Sequence, residues 1–510
     1  MPIVFIILSL AGVIDASYLT WEHYAQIIPP CSTVWWLSDC GKVLTSSYSI
    51  IYGIPLAAIG VFFYTIELIF AIGTFFKKRW ARRLLIVTSL GGFVSSVIFV
   101  YLMLGVIRAI CWYCMGSALI STIMFFLVWK TYPRDITWWL TVKLGILYRH
   151  ILKPILFLFD PEIIHESMVS FGQRLGTCSF VRKVSSLLFI VKDKRLSQII
   201  AGISFSSPVG LAAGFDYEAR LTQILGPIGF GFQSVGTITN NPYEGNVKPM
   251  LGRLPHSKSL MVNKGFKNFG ASETIKRLKK ETFTIPVGVS VGRTNSRTST
   301  LSQSQSVADI CEAFITFEKS GVPFSYYELN ISCPNLHGSV NFYKPSLLDE
   351  LLTQIDKLKL TKPVFVKMPI EKPDKDFRAM LQVINKHSPV GIIVGNLQKN
   401  RKNPVLDPKE VAKFPVGFFS GKPTLDDSNR LIELTYRKFS KRFVIIGCGG
   451  IFSGADAFEK IKRGASLVQL ITGMIYEGPQ LPSRIALDLI DILEDHEFSS
   501  IQEAVGSDVT

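Results

Sequence analysis

Charge is scarce in the first quarter of the chain: residues 1 to 129 hold long charge-free runs, and the loop from Glu22 to Ser49 has Lys42 as its one lysine or arginine. That excludes an ordinary water-soluble domain there. Also missing is any stripe of basic residues interleaved with aromatics, so the net charge of +16 is read as basic loops meeting anionic headgroups or small anions, not nucleic acid. Beyond residue 130 there is no cysteine pair. Cys178, Cys311, Cys333 and Cys448 are scattered singly, which leaves disulfide pairing plausible for Cys31, Cys40, Cys111 and Cys114 alone. Neither a metal site nor a nucleic-acid partner is expected.

What is present divides in two. A length of 510 residues exceeds one ordinary domain, and a mean hydropathy of +0.30 places part of the chain in lipid. Four apolar runs, at about 3–21, 50–76, 84–107 and 110–129, each approach the ~20 residues needed to cross a bilayer core. A signal peptide explains the first run at most. Lys77, Lys78, Arg79, Arg82 and Arg83 lie between the second and third runs, and Lys130 and Arg134 follow the fourth. By the positive-inside rule both termini are then cytoplasmic, and all four N-terminal cysteines face the oxidising side.

Cys111-Trp112-Tyr113-Cys114 has the spacing at which two thiols on one helical turn form a strained, reactive disulfide. Alone, it is equally a structural disulfide or a metal site. The loop pair Cys31 and Cys40, then Val43-Leu44-Thr45-Ser46-Ser47-Tyr48-Ser49 with Gly53-Ile54-Pro55, then this C-x-x-C, together closely resemble the bacterial vitamin K epoxide reductase family over residues 1 to 130. The resemblance implies a four-helix transmembrane bundle with a quinone near Cys111 and Cys114, Cys114 nearest. It makes Ser46 a hydrogen-bond donor to that quinone, and has Cys31 and Cys40 take electrons from an outside thiol protein. That thiol protein is expected as a separate, thioredoxin-like partner. Asp15 is a further acid inside the first run.

From Trp138 to about Leu188 the chain is aromatic, basic and amphipathic, as suits helices lying on a membrane surface. Eight short β-rich runs follow: Val209–Ala212, Gly229–Val235, Val287–Val291, Tyr326–Ile331, Val364–Lys367, Gly391–Val394, Phe443–Ile446 and Leu467–Leu470. Separated by helix-sized segments, they predict a (β/α)8 barrel whose chemistry sits at the strand C-termini. Glycine-rich loops after the last two strands fit a cofactor phosphate.

The motifs Gly210-Leu211-Ala212-Ala213-Gly214-Phe215-Asp216, Asn330-Ile331-Ser332-Cys333-Pro334-Asn335, Ser420-Gly421-Lys422-Pro423 and Gln469-Leu470-Ile471-Thr472-Gly473-Met474-Ile475-Tyr476-Glu477-Gly478-Pro479 resemble class 2, quinone-dependent dihydroorotate dehydrogenases over about residues 145 to 490. The resemblance implies oxidation of dihydroorotate to orotate with FMN, quinone as acceptor, and quinone-tunnel helices ahead of the barrel. Cys333 falls on the base and Lys367 beside the flavin N1/O2 edge. Ala213, Gly214, Thr237, Ser290, Asn330, Gly395, Gly421, Gly450, Ile471 and Thr472 fall on the cofactor, its phosphate on Gly421, Gly450 and Thr472. Asn263, Gly265, Phe266, Asn330, Asn335 and Asn396 fall on the pyrimidine. Four asparagines offer both donors and acceptors to an imide ring.

Departures are specific. Cys333 stands where the membrane class has serine, Tyr217 where the family has a lysine, and Ser290 where it has a flavin-contacting asparagine. Leu336 and Leu397 stand where it has threonines, and Asn263-Lys264-Gly265-Phe266 is one residue shorter. The expected layout is 1–131 transmembrane, 132–195 membrane-surface helices, 196–500 FMN-binding barrel and 501–510 tail. The expected location is the bacterial inner membrane, with the barrel cytoplasmic and the N-terminal cysteines outside. The other reading makes thiol oxidation the main activity, with a diverged or non-catalytic barrel.

Overall fold

The computed structural model describes residues 1–27, 39–298 and 301–509, and the chain divides into two compact units, Met1–Leu140 and Thr141–Thr510. Cys31 lies outside the described residues.

In the first unit the apolar runs become helices α1 (Pro2–Ala25), α2 (Leu56–Phe75), α3 (Arg79–Tyr101, continued to Ile107 by a wider π-helical turn) and α4 (Trp112–Thr131). Each is long and apolar enough to cross a membrane. Their outward faces carry exposed Ile7, Phe62, Val94, Leu119 and Phe126, which water would penalise and lipid would not. Phe5, Ala71, Leu85, Ile86, Met124 and Val128 close the bundle's interior. Helix α5 (Pro133–Leu147) follows, its Asp135 held by Arg82 (3.3 Å) and Arg83 (3.4 Å).

In the second unit the end of α5, a π-helical turn (Tyr148–Leu152) and a short helix (Lys153–Phe157) lead to two amphipathic helices, α6 (Pro161–Thr177), capped by the Asp160 carboxylate, and α7 (Ser179–Phe189). Phe180 at 73% and Leu187 at 81% exposure present an apolar face to the surroundings.

Eight parallel strands then close a barrel in sequence order: β1 (Val209–Leu211), β2 (Phe232–Ile238), β3 (Val287–Val291), β4 (Tyr326–Asn330), β5 (Val364–Met368), β6 (Gly391–Val394), β7 (Val444–Cys448) and β8 (Leu467–Leu470). β3, β6 and β8 have the expected bounds, β1, β4 and β5 shift by one residue at their C-terminal ends, and β2 and β7 differ more. The second begins at Phe232 because Gly229, at φ +101°, turns the chain where a Cβ would strike Ser483 Oγ at 2.1 Å. It then runs through Gly236-Thr237, expected as loop, by way of a register shift between Val235 and Ile238. The seventh likewise takes in Gly447 and Cys448.

The barrel's N-terminal mouth is plugged by Ile200 and Phe205 of a hairpin, packed on Phe232, Tyr326, Phe365, Ile393, Ile446 and Leu467. Above them Gln469 donates to Glu328 (2.8 Å) and Ser234 (2.9 Å), and Tyr326 and Ser234 hydroxyls pair at 2.9 Å. With that end filled, the open end is the C-terminal one. A three-stranded antiparallel sheet, Leu251–Leu254, Ser259–Val262 and Phe418–Phe419, is inserted among the barrel elements. The last residues are packed, with Ile501 and Ala504 fully buried.

Candidate active site

The strand C-termini surround a cavity of about 180 Å3. Strand register places Asn330 beside Lys367 on neighbouring β4 and β5, both lining it. Asn330 Nδ2 donates to Thr237 Oγ1 (2.7 Å), while its Oδ1 accepts from Ser332 Oγ (2.9 Å). Asn396 Nδ2 donates to the same serine hydroxyl, so β2, β4 and β6 are tied into one polar rim. Asn335 reaches the wall from the following loop, its Nδ2 donating to Val262 O (3.0 Å).

Cys333 also lines this cavity, and burial pushes its thiol up to about 11 against the Asn335 N–H, Arg293, Lys367 and Lys399, which pull it down. It is a protonated thiol at neutral pH, able to accept a substrate proton only through its minor thiolate fraction. A second group of lining residues clusters around the β7 and β8 ends. Ser420 Oγ and Thr472 Oγ1 pair at 2.8 Å. Gly421, at φ +80°, lies so close that a Cβ would sit 2.7 Å from Thr472 Cγ2 and 2.4 Å from Lys258 O. Only glycine lets these segments approach that closely.

Among the lining residues are Lys264, Lys267 and Lys367, and no aspartate or glutamate. The site is built for anions.

The model of the dihydroorotate dehydrogenase family matches residues 195–493, and that of the vitamin K epoxide reductase family matches residues 3–129. The chain belongs to the dihydroorotate dehydrogenase family. Similar proteins include the dihydroorotate dehydrogenase (quinone) of Nostoc punctiforme, 35% identical over 71% of this chain and 98% of that one. That of Trichodesmium erythraeum is 32% identical over the same shares. The solved structure of ligand-free DHODH from Eimeria tenella matches with a TM-score of 0.61 and 28% identity, covering 69% of this chain and all of that one. The fusion of the two families in one chain is thus supported.

In this family member, Ala213, Gly214, Thr237, Gly265, Phe266, Asn330, Cys333, Asn335, Lys367, Gly395, Asn396, Gly421, Gly450, Ile471 and Thr472 all line the cavity. Asn263 and Ser290 do not. Ser290 is fully buried behind Thr237, sharing a 2.9 Å hydrogen bond with its hydroxyl. Asn263 is turned away, donating to Val247 O (3.3 Å) and accepting from Asn246 (3.1 Å), while Lys264 takes the wall.

The wall also includes His165 of α6, Phe215 and Ser420, which sequence reasoning did not assign to the site, and Tyr217 and Lys264, the first standing where the family has a lysine and the second a candidate for replacing its charge. Asn246 and Asn295 were missed as supports: Asn246 donates to Asn335 O (2.9 Å) and Asn295 to Gly265 O (3.0 Å). An asparagine-rich pattern was the available signal, but nothing local distinguishes a supporting asparagine from a ligand.

In the first unit, Cys111 and Cys114 are free thiols with their sulfurs 2.8 Å apart, and the Cys114 N–H donates to Cys111 Sγ (3.3 Å). Cys40 is disulfide-bonded, and packs with Cys111 and Met103 in one apolar cluster. Asp39 N–H bonds Ile110 O (3.0 Å), fixing the Cys40 turn against the start of α4. Ser46 and Cys114 line a second cavity of about 610 Å3 together with Asp15, Tyr64 and Ser117.

Proposed function

We propose that the barrel oxidises dihydroorotate to orotate using FMN and delivers the electrons to a membrane quinone. The carrying observation is the convergence of Cys333, Lys367, Asn330, Asn335 and Asn396 on one anion-favouring cavity. The glycine and hydroxyl cluster of Gly421, Ser420 and Thr472 suits the phosphate of FMN, and the rim of Thr237, Asn330 and Lys367 suits its ring.

When bound, the flavin supplies the two-electron acceptor for hydride from C6 of the substrate. The protein does the rest. Asn330, Asn335 and Asn396 hold the planar pyrimidine through amide donors and acceptors. Cys333 takes the C5 proton as a thiolate, becoming the neutral thiol. Lys367, buried on β5, would supply positive charge to offset the negative charge a flavin gains on reduction.

The first unit is proposed as a second, thiol-linked quinone reductase. Cys111 and Cys114 close a disulfide; their two electrons and two protons convert quinone to quinol in the cavity lined by Ser46 and Cys114. Cys31 and Cys40 pass electrons to them from an external thioredoxin-like thiol protein. The proposed placement is the bacterial inner membrane, cysteines outside and barrel in the cytoplasm, with the exposed faces of α6 and α7 on lipid.

The test is quinone reduction by purified protein in detergent. Dihydroorotate alone is expected to drive it, and Cys333→Ala to lose it at unchanged flavin content. A preparation that reduces quinone with thiols and not with dihydroorotate favours the reading in which thiol oxidation is the main activity.

A further inference from the structure

A fixed cation in the cavity would favour a carboxylated substrate. Three lysines line the cavity, and they are held differently. Lys367 rises from β5 beside Asn330. Lys264 reaches in from the loop after Ser259–Val262, where its ammonium donates to the Tyr217 hydroxyl and lies 4.4 Å from the centre of the Tyr217 ring. Tyr217 is itself locked: it is 7% exposed and stacked on the His165 ring at 5.3 Å and 23°. His165 in turn meets Phe215 edge-on at 4.9 Å. A long, flexible side chain is thereby preorganised, with one of its three N–H donors spent on Tyr217.

Arg220, close by in sequence, is engaged elsewhere. Its guanidinium binds Glu166, Gln173 (2.9 Å) and Ser170 (2.7 Å), and it does not line the cavity.

We propose that Lys264, positioned by Tyr217, is the cation that receives the substrate carboxylate and makes the cavity select a carboxylated over an uncharged pyrimidine. This rests on the proposed dihydroorotate oxidation. The ammonium electrostatics agree: burial, then Lys267, bring Lys264 down to about 8, while Glu162, Glu166 and Glu218 pull it upward. The neighbouring His165 is kept neutral, burial taking it down to about 3. Lys264 is therefore charged below about pH 8 and loses its charge above it. A bound carboxylate opposes that loss.

The experiment compares steady-state dihydroorotate oxidation by the full-length parent, Lys264→Gln, Tyr217→Phe and the exchange variant Lys264→Gln with Tyr217→Lys, each at matched flavin content. Lys264→Gln is expected to raise KM by at least about tenfold with a smaller change in kcat. It should abolish the parent's rise in KM above pH 8 and erase the preference for orotate over uracil in perturbing the flavin spectrum. Tyr217→Phe should raise KM less. The exchange variant, whose lysine starts from the side chain that Lys264 now contacts, should recover most of the lost affinity. Unchanged KM and orotate preference in Lys264→Gln overturn the inference, as does a KM loss found instead in Lys267→Gln. A parent that binds flavin and does not oxidise dihydroorotate overturns the functional reading itself, a separate outcome.

Discussion

Asn330 and Lys367 are register partners at the C-terminal ends of adjacent barrel strands, so a neutral amide and a buried ammonium face the same cavity from neighbouring positions. The amide is oriented by Thr237 and Ser332, which leaves the ammonium as the group that responds to charge developing in the site. Lys367→Met is expected to slow flavin reduction by dihydroorotate about a hundredfold, in line with removal of one preorganised electrostatic contact. Anaerobic stopped-flow absorbance reads this directly. A rate within threefold of the parent sinks the assignment.

The thiol of Cys333, raised to about 11 by burial, gives a signed pH dependence. Its thiolate fraction grows about tenfold per pH unit below that value. The rate constant for flavin reduction at saturating dihydroorotate is therefore expected to climb with pH from 6 to 9, and Cys333→Ala to remove both the rate and the slope. A pH-independent rate, with proton abstraction rate-limiting, contradicts Cys333 as base.

In the first unit, Cys114→Ser removes the thiol that lines the Ser46 cavity. Thiol-dependent quinone reduction is expected to vanish while dihydroorotate oxidation stays at parent level. Loss of both activities refutes independent halves.

The exposed apolar face of α7 leads to a prediction about access. Phe180→Glu with Leu187→Glu should raise the KM for a long-chain quinone in liposomes several-fold, because two charges oppose burial in the headgroup region. A short, water-soluble quinone should be used as before. Equal effects on the two quinones contradict a lipid-facing role.

Much of this layout was legible in the sequence, for physical reasons that differ between elements. The membrane helices and β3, β6 and β8 follow from local composition: uninterrupted apolar runs, and β-branched segments between turns. The start of β2 was displaced because Gly229 serves a turn against Ser483, a contact more than 250 residues away in sequence. Motif matching placed Cys333, Lys367 and three asparagines on the cavity: Asn330 and Lys367 sit on strand ends whose direction alternation fixes, and Cys333, Asn335 and Asn396 on the loops that follow β4 and β6. It failed for Asn263 and Ser290. Asn263 lies on a shortened loop where Lys264 now occupies the wall, and Ser290 sits one layer behind Thr237. The His165, Tyr217 and Lys264 stack joins three segments through ring contacts that no local pattern announces.

Oxidation of dihydroorotate by the barrel through a bound flavin is read by anaerobic absorbance of the purified full-length protein. A yellow protein that bleaches on addition of dihydroorotate and regains its colour with quinone is the expected result. A yellow protein that dihydroorotate leaves oxidised, or a protein that carries no flavin at all, contradicts it.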